Sequence, residues 1–341
     1  MMREELYKID EYGIFDRILL LTDSNLHPLL PAFMQGYSVM EVQAGEASKS
    51  IEVLSDVWQR MVEEGMTRRS LLLNVGGGVV TDLGGFAAAT FKRGIRHINV
   101  PTTLLGMADA AIGGKTGIDF AGAKNEIGAF HMPIDVIIDP QWLETLPTKE
   151  ILNGMAEVVK SLLLDSEPEA NRSYRSLLSL RHIPDNFILG RIASMAAEFK
   201  RKIVAEDPRD AGLRMILNFG HTSGHAFESL AAASGTPVGH GEAVAWGMLF
   251  ALLLSEEKAG LTKGFAEEYR RGFLEPNYAP LPPASLNPES VVEMMGRDKK
   301  NARLGEVSMV LLEAPGKPLT GIPVSRREIL DTLHKMDPMS G

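Results

Sequence analysis

The sequence predicts two domains, an N-terminal α/β domain with a mostly parallel sheet and an all-α C-terminal domain. Three observations predict this arrangement: a length of 341 residues, short apolar runs alternating with helical patterns in the first half, and consecutive helical patterns after about Pro147. At roughly 150 residues per domain, the length favours two domains. Strands that alternate with helices are typical of βαβ units.

The N-terminal half supplies the predicted strands. Short apolar runs predict strands over residues 17–21, 71–75, 97–100 and 135–139. Residues 50–64 are predicted to form a helix between the first two strands, because apolar residues recur there at every third or fourth position. Gly65 is a suitable residue to end that helix.

The C-terminal half reads as helices without a convincing strand among them. The predicted helices cover residues 151–164, 187–205, 221–233, 242–259 and 326–336, with helical spacing also resuming at Val291. Five prolines make residues 276–288 a predicted loop. We therefore expect the domain boundary near residues 147–151, which divides the chain into residues 1–150 and 151–341.

The composition excludes several classes of protein. Hydrophobic residues are 45% and charged residues 23% of the chain, as in ordinary soluble globular proteins. A formal charge of −9 disfavours a nucleic-acid partner. The sequence has no cysteine, which excludes disulfides and thiolate ligands and suits the cytoplasm. The longest apolar stretch, residues 243–254, is too short for a bilayer span of about 20 residues and is predicted to be a buried helix.

Residues 74–86 run from a predicted strand through three glycines into a predicted helix. Glycines allow the backbone to approach a phosphate, and the start of a helix offers free N–H groups. A tight turn with close packing of helix on sheet explains the same glycines, because the spacing is not G-x-G-x-x-G. Both interpretations remain open from this stretch alone.

The segment Gly113-Gly114-Lys115-Thr116 resembles the end of a Walker A loop. Asp109 stands where that motif needs its first glycine, so this is not a P-loop. Lys115 and Lys124 lie in stretches that are otherwise poor in charge. We interpret these two lysines as anion-binding groups, although most lysines are solvated surface residues.

Glu157 and three histidines form a candidate metal site. His221 and His225 are one helical turn apart, and His240 opens the longest apolar helix. Together with Glu157 these histidines could supply a site with two imidazoles, one carboxylate and open positions for substrate. The motif HExxH is absent, so the chain is not a zincin. Taken alone, Glu157 and Lys160, three residues apart, are more simply explained as a surface ion pair.

Eight stretches in order resemble the 3-dehydroquinate synthase family of the sugar phosphate cyclase superfamily. The resemblance runs from about Leu20 to Leu312. The matching stretches are GGGVVTDLGGF, FKRGIRHINVPTTLLGMADAAIGGKTGID, GAKNEIGAFHMP, LETLP, NGMAEVVK, GLRMILNFGHTSGHAFE, GHGEAVAWGM and DKKN. The sequence departs from the family pattern at Ala110-Ala111, where serines are common, and at Ser223, where a larger apolar residue is common.

The resemblance implies a fold and a reaction. The fold would be dehydroquinate synthase-like, with a Rossmann-like NAD-binding domain, a helical domain that binds metal and substrate, and the active site in the cleft between them. NAD⁺ and a divalent metal, zinc or cobalt, would serve as cofactors. The reaction would convert 3-deoxy-D-arabino-heptulosonate 7-phosphate to 3-dehydroquinate in the shikimate pathway. The steps would be, in order, oxidation at C5, loss of phosphate, reduction, ring opening and an intramolecular aldol closure.

The resemblance also implies roles for individual residues. Glu157, His221 and His240 would bind the metal, and Asp109 and Lys160 would engage the ring hydroxyls. The phosphate would be faced by Lys115, Asn125, Asn218 and His225, with Arg93 from the neighbouring subunit of a homodimer. Lys200, Arg214 and Lys299 would hold the carboxylate, and Lys124 would line the same pocket. The cofactor contacts would be Asp23, Asn25, Glu46, Lys49, Gly77, Gly78, Asp82, Thr102, Thr103, Lys115, Lys124 and Thr145.

Three alternative functions would use these residues differently. Another cyclase of the superfamily, making inosose or valiolone, would have no carboxylate for Lys200, Arg214 and Lys299 to hold. A zinc polyol dehydrogenase would need neither the phosphate-binding nor the carboxylate-binding cations. A silent module that binds NAD and metal without catalysis is disfavoured by the intact metal set. The basic stretches around Lys200 and Lys299 would also be explained by solvated charge.

Overall fold

The computed structural model describes residues 7–179, 183–296 and 307–336. Contacts divide the chain into two compact units. The first unit comprises the residues up to Ile151 together with Asp185–Arg209, and the second comprises Leu152–Pro184 and the chain from Asp210 onward. The break after Ile151 lies beside the predicted boundary. A single cut at residue 150 nevertheless does not describe the units, because the chain returns to the first unit at Asp185.

A five-stranded parallel sheet forms the centre of the first unit. Its strands are β1 (Ile18–Asp23), β2 (Ser38–Val42), β3 (Leu71–Gly76), β4 (Arg96–Pro101) and β7 (Asp135–Val136). They lie in the order β2-β1-β3-β4-β7, and every neighbouring pair is parallel. All six residues of β3 are buried, as expected for a strand covered on both faces. The predicted strands at 17–21, 71–75 and 97–100 are therefore confirmed, whereas the strand predicted at 135–139 is much shorter.

Helices α1 (Ile51–Glu63) and α2 (Gly78–Thr90) follow β2 and β3. The Ser50 side chain accepts a hydrogen bond from the Val53 amide and so caps α1, which confirms the helix predicted at 50–64. Gly84 lies against β3, where a Cβ atom would be 2.0 Å from Asn74 Oδ1. The glycines of this stretch therefore do allow close packing of helix on sheet.

Two further elements complete the first unit. An antiparallel hairpin of β5 (Lys115–Phe120) and β6 (Ala123–Phe130) was not predicted from the sequence. Its glycines obscure the strand pattern, yet the hairpin needs them, because a Cβ atom on Gly128 would be 2.1 Å from the carbonyl oxygen of Thr116. Helix α5 (Asn186–Glu206) packs with the first unit, and Gly190 lies directly against Pro140. This helix was predicted, but in the C-terminal domain.

The second unit is helix-rich, as predicted. Its main helices are α3 (Thr148–Leu164, from Leu152 onward), α4 (Pro168–Leu178), α6 (His221–Ala233), α7 (His240–Lys258), α8 (Phe265–Tyr269), α9 (Glu275–Asn277), α10 (Pro288–Gly296) and α11 (Arg326–Met336). The all-α prediction needs one correction, because β8 (Val307–Ala314) and β9 (Lys317–Val324) form an antiparallel hairpin. A short apolar run such as that of β8 cannot be told from a buried helix by periodicity.

Helix α7 lies at the core of this unit. Residues 243–252 and Leu254 are buried, including Trp246 and Phe250, which confirms the predicted buried helix. Gly247 brings α7 close to α6, because a Cβ atom there would be 2.0 Å from the carbonyl oxygen of Gly220. Among the helices in the described parts of the chain, none combines the length and apolar character that crossing a membrane requires.

Candidate functional site

Three helices of the second unit bring Glu157, His221 and His240 together. Glu157 lies in α3, while His221 and His240 are the first residues of α6 and α7. The Nε2 atom of His221 is 3.3 Å from Glu157 Oε1, and the Nε2 atom of His240 is 3.5 Å from the same oxygen. Glu157 is fully buried. Both imidazoles therefore present a nitrogen to one carboxylate oxygen.

These separations fit a divalent metal ion better than direct hydrogen bonds. Nitrogen–oxygen hydrogen bonds are usually about 2.7–3.2 Å long. Ligand atoms that share one tetrahedral ion, with bonds of about 2.0–2.2 Å, lie about 3.3–3.6 Å apart. Two imidazoles and one carboxylate are also a common ligand set of catalytic zinc. The geometry thus supports the metal ligands that the family resemblance implies.

The remaining ring nitrogens of the two histidines face hydrogen-bond acceptors. His221 Nδ1 lies 3.2 Å from the carbonyl oxygen of Phe219, and His240 Nδ1 lies 3.1 Å from Glu228 Oε2. Since a carbonyl or carboxylate oxygen can only accept, both Nδ1 atoms carry the proton in these bonds. Nε2 of each ring is then the nitrogen left to bind a metal ion beside Glu157, which is the usual arrangement of histidine ligands.

Lys160 contacts the second oxygen of the Glu157 carboxylate, Oε2. Its side chain is only 1% exposed, so the surface ion pair considered from the sequence is ruled out. Burial opposes ionisation of Glu157, but the positive charge of Lys160 and the neighbouring His221 outweigh it and hold the pKa of Glu157 well below its ordinary value. The carboxylate therefore stays ionised.

The two histidines differ in their affinity for a proton. Burial, followed by the charge of Lys160, lowers the pKa of His221. Burial also lowers the pKa of His240, but hydrogen bonding to Glu157 and Glu228 outweighs it and raises the pKa to about 10. A metal ion has to displace this proton from His240, so its binding depends on pH.

His225 joins the same group of side chains. A ligand nitrogen of His225 lies within 4.8 Å of ligand nitrogens of His221 and His240. Its ring centroid is 5.3 Å from that of His221 and 5.8 Å from that of His240, and the residue is exposed. The structure thus gathers the three histidines that the sequence singled out, with His225 on the exposed side of the cluster.

Glycines and one asparagine fix the start of α7. The Gly241 amide donates to Asn153 Oδ1 at 2.6 Å, which ties α7 to α3. A Cβ atom on Gly241 would be 1.8 Å from the Asn153 carbonyl oxygen. In α6, Ser223 is fully buried and its hydroxyl donates to the Gly247 carbonyl oxygen, so a small residue suits this position. These close contacts place His240 beside Glu157.

In the first unit, predicted cofactor contacts follow three parallel strands. Asp23 ends β1, Gly77 and Gly78 follow β3, and Thr102 follows β4 with Thr103 next to it. The carboxyl ends of parallel strands share one edge of the sheet, and the strand order reverses between β1 and β3. Ligands of open α/β sheets bind at such a reversal.

Lys49 connects several of the remaining candidates in the first unit. Its Nζ atom is 2.9 Å from Asp82 Oδ2 and 3.6 Å from Glu46 Oε1, and it also donates to Asn125 Oδ1. Lys49 is buried, whereas Glu46 and Asn125 are exposed. Burial raises the pKa of Asp82 to about 6, although Lys49 opposes this shift.

Asp109 and Lys200 form a second charged pair in the first unit. Lys200 Nζ lies 2.9 Å from Asp109 Oδ1 and donates to the Asp109 carbonyl oxygen at the same distance. Asp109 lies in a short π-helix, Gly106–Ala110, and Lys200 lies in α5. Both residues were predicted to face substrate.

The other predicted site residues have varied surroundings. Arg214 is buried in a short 3₁₀ helix, Leu213–Asn218, and Asn218 donates to the Met215 carbonyl oxygen. Lys299 lies outside the described residues. Besides Glu46, Asn125 and His225, the exposed members of the predicted set are Asn25, Arg93, Lys115, Lys124 and Thr145.

Sequence reasoning missed two residues that support the cluster, Glu228 and Asn153. Glu228 lies seven residues after His221, which places it two turns along the same face of α6. That spacing was a usable signal for Glu228. The contact of Asn153 with α7 joins distant parts of the sequence and left no such signal.

The fold and the cluster define a class of proteins, the sugar phosphate cyclases. A 2-deoxy-scyllo-inosose synthase, complexed with carbaglucose-6-phosphate, NAD⁺ and Co²⁺, has the same fold, with a TM-score of 0.84, 24% identity and coverage of 98% of this chain and 95% of that one. The 2-epi-5-epi-valiolone synthase ValA from Streptomyces hygroscopicus subsp. jinggangensis 5008, with NAD⁺ and Zn²⁺ bound, superposes with a TM-score of 0.79 at 27% identity over 94% of this chain and 90% of that one.

Within that class, the chain belongs to the 3-dehydroquinate synthase family. The family model of the 3-dehydroquinate synthase N-terminal region matches residues 39–153, and that of the C-terminal region matches residues 154–301. The 3-dehydroquinate synthase of Parabacteroides distasonis is 39% identical over 94% of this chain and 91% of its own length. The enzyme of the same name from Pyrococcus abyssi is 38% identical over 87% of this chain and 81% of its own length.

Proposed function

We propose that this chain converts 3-deoxy-D-arabino-heptulosonate 7-phosphate to 3-dehydroquinate and inorganic phosphate, using NAD⁺ and a divalent metal ion. One observation carries the proposal. In a chain of this family, two imidazole nitrogens face one oxygen of a buried carboxylate at ligand-to-ligand distances. The intact cluster also argues against a silent module, which would have no use for it.

Glu157, His221 and His240 would hold the metal ion. When bound, a divalent ion acts as a Lewis acid that polarises hydroxyl and carbonyl oxygens of the substrate. Lys160 keeps Glu157 ionised, and the acceptors at Phe219 and Glu228 keep the two Nε2 lone pairs directed at the ion's position. The chain's own contribution is thus a fixed ligand set with a defined charge.

The turn between β3 and α2 would hold the dinucleotide. Gly77 is the N-cap residue of α2 and makes no side-chain hydrogen bond to the first turn, whose amides would be offered to an anion. A Cβ atom on Gly77 would lie 3.1 Å from Thr103 Cγ2, which leaves little room for a larger residue. NAD⁺ held there would supply a hydride acceptor and, in its reduced form, a hydride donor. Asp23, Asp82, Thr102 and the other candidates of the first unit would orient it.

Cationic and amide side chains would bind the substrate's anionic groups, despite the net charge of −9. Lys115, Asn125, Asn218 and His225 are proposed for the phosphate, and Lys200, Arg214 and Lys299 for the carboxylate. Asp109 and Lys160 are proposed for the ring hydroxyls. The leaving phosphate itself would accept the C6 proton, so the residues around it need only hold and orient it.

A cyclase acting on a sugar phosphate without a carboxylate is the nearest rival, since two solved structures with this fold are of that kind. The named relatives are synthases of 3-dehydroquinate. This chain also keeps Lys200 and Arg214, the candidate carboxylate-binding residues that the rival substrates would not need.

We further propose that the chain acts in the cytoplasm as a homodimer in which Arg93 reaches the phosphate site of the neighbouring subunit. Arg93 is exposed, and the backbone at Lys92, Arg93 and Gly94 has φ angles of 50°, 68° and 115°. Positive φ angles at the non-glycine residues Lys92 and Arg93 are strained, and such residues are more frequent at functional sites. The absence of cysteine from the sequence agrees with a reducing compartment.

A phosphate-release assay tests the proposed function. We expect purified chain, supplied with NAD⁺ and Zn²⁺ or Co²⁺, to release inorganic phosphate from the heptulosonate phosphate and to stop when a chelator is added. His240→Ala should remove both metal retention and turnover, because it removes one of three ligands. Release from sedoheptulose 7-phosphate instead would favour the rival cyclases. Inactivity towards both substrates, with NAD⁺ still bound, would favour the silent module.

A further inference from the structure

Glu228 contacts His240, one of the proposed metal ligands, but has itself been given no role in the site. It lies in the penultimate turn of α6, its side chain is 15% exposed, and its Oε2 atom is 3.1 Å from Nδ1 of His240. The carboxylate can only accept, so His240 donates through Nδ1–H. Nε2 of the same ring then faces Glu157 and is the nitrogen available to a metal ion.

His221 has a different kind of support. Its Nδ1 atom faces the carbonyl oxygen of Phe219, a backbone group only two residues away. Any side chain at position 219 would leave that oxygen in place. His240, in contrast, depends on the side chain of a residue in another helix. Its side chain is also 32% exposed, against 13% for His221, so packing restrains its ring less.

We propose that Glu228 is a positioning residue for the metal centre. By accepting the Nδ1 proton, it selects the tautomer of His240 whose Nε2 can bind a metal ion, and it holds the ring towards Glu157. The inference rests on the proposed metal site formed by Glu157, His221 and His240. Outer carboxylates of this kind commonly change metal affinity about 10–100-fold when they are removed.

Cobalt binding to the otherwise unmodified full-length chain tests this inference without reference to turnover. Co²⁺ is titrated into metal-free protein in competition with a chromophoric chelator, and the visible absorption of bound cobalt is recorded. Glu228→Ala is expected to weaken Co²⁺ binding about 10–100-fold and to alter the cobalt spectrum. Glu228→Gln is expected to lose less than about tenfold, since its amide oxygen can accept the same hydrogen bond.

A matched control and a double variant separate positioning from general stability. Glu256 is a partly buried glutamate in α7 that accepts a hydrogen bond from the Ala266 amide, and Glu256→Gln is expected to bind Co²⁺ like the unmodified chain. Because His240→Ala is expected to remove metal retention, the double variant is compared by the unfolding free energy of metal-free protein: Glu228→Ala should cost less in a His240→Ala background than with His240 present, because Glu228 acts through His240. Should Glu228→Ala fail to fold, the nearly isosteric Glu228→Gln in both backgrounds gives the same comparison.

The outcomes distinguish the inference from the proposed function. Unchanged Co²⁺ affinity and spectrum in a folded Glu228→Ala variant would overturn the inference while leaving the metal site intact. Equal losses of unfolding free energy from Glu228→Ala in metal-free protein with and without His240 would also overturn it, since they would indicate a general structural role. Failure of the unmodified chain to bind Co²⁺ would overturn the metal site itself and this inference with it.

Discussion

Each unit contains a cluster of charged side chains, and the two clusters differ mainly in their exposure to water. In the second unit, Glu157 and Lys160 are 0% and 1% exposed. In the first unit, Lys49 is 4% exposed, but its partners Asp82 and Glu46 are 21% and 46% exposed. The Glu157 cluster of the second unit surrounds a candidate metal site. The Lys49 cluster of the first unit lies among candidate cofactor contacts.

This difference determines how much each cluster depends on being complete. A buried charge that loses its partner cannot be hydrated, whereas a partly exposed charge recruits water. The Glu157 cluster should therefore tolerate the loss of one member poorly, and the Lys49 cluster should tolerate it better. The ion pair between Lys258 and Glu328, near the protein surface, should lose the least stability when one partner is replaced.

The largest loss of stability is expected from Glu157→Leu. The variant leaves the buried ammonium group of Lys160 without this carboxylate, and breaking such a pair costs about 3–5 kcal/mol of unfolding free energy. Urea unfolding followed by circular dichroism measures the loss.

The double variant Glu157→Leu/Lys160→Met serves as its control. Apolar residues of similar volume replace both charges, so most of the lost stability should return while metal binding stays absent. A single variant that loses less than about 1 kcal/mol would contradict the importance of burial here.

A smaller effect is expected from Lys49→Met in the first unit. The variant removes the cation that opposes protonation of Asp82, whose pKa burial already raises to about 6. We expect a loss of about 1–3 kcal/mol at pH 8. The loss should shrink at pH 5, because Asp82 then takes up a proton and needs no cation.

Urea unfolding at the two pH values measures this dependence. The stability contribution of a carboxyl group whose folded pKa is raised is present at low pH and is lost as pH rises through that pKa. Lys8→Met, in an ion pair with both side chains more than half exposed, is the control and should change little at either pH. A loss that is equal at pH 5 and pH 8 would contradict the role of Asp82.

The smallest effect is expected from Glu328→Gln at the start of α11. Burial opposes ionisation of Glu328, but hydrogen bonds from Lys258 and Ser325 outweigh it and lower its pKa to about 2. Its stabilising contribution is therefore present above its ordinary pKa and disappears as pH falls through about 2. Thermal unfolding at pH 7 should show a loss below about 1 kcal/mol, as for exposed pairs. The difference should narrow towards pH 3, and one that widens there would contradict this assignment.

Much of the fold was predictable because local patterns determine it. The helices at 221–233 and 326–336 have the predicted bounds, and the strands at β1, β3 and β4 lie where apolar runs predicted them. The hairpins β5–β6 and β8–β9 were missed, since pairing between neighbouring strands leaves little trace in short runs that contain glycines or lack alternation. The return of α5 to the first unit was missed for a related reason, because periodicity identifies a helix but not its packing partner.

The candidate site was predictable in part. The spacing of the histidines and the family motifs brought Glu157, His221 and His240 into consideration, but spacing alone favoured a surface ion pair for Glu157 and Lys160. Only the packing of α3 against α6 and α7 showed that this pair is buried. Glu228 was missed because the sequence shows which residues share a helix face, but not what that face contacts.

The order of amino acids by itself determined the helices, the parallel strands, the family and the types of ligand available to a metal ion, because each depends on local patterns or on motifs. The tertiary structure alone decided which charges are removed from water, which imidazole nitrogens face Glu157 and which side chain holds His240. Those properties arise from contacts between residues far apart along the chain, and burial then decides how strongly each contact contributes.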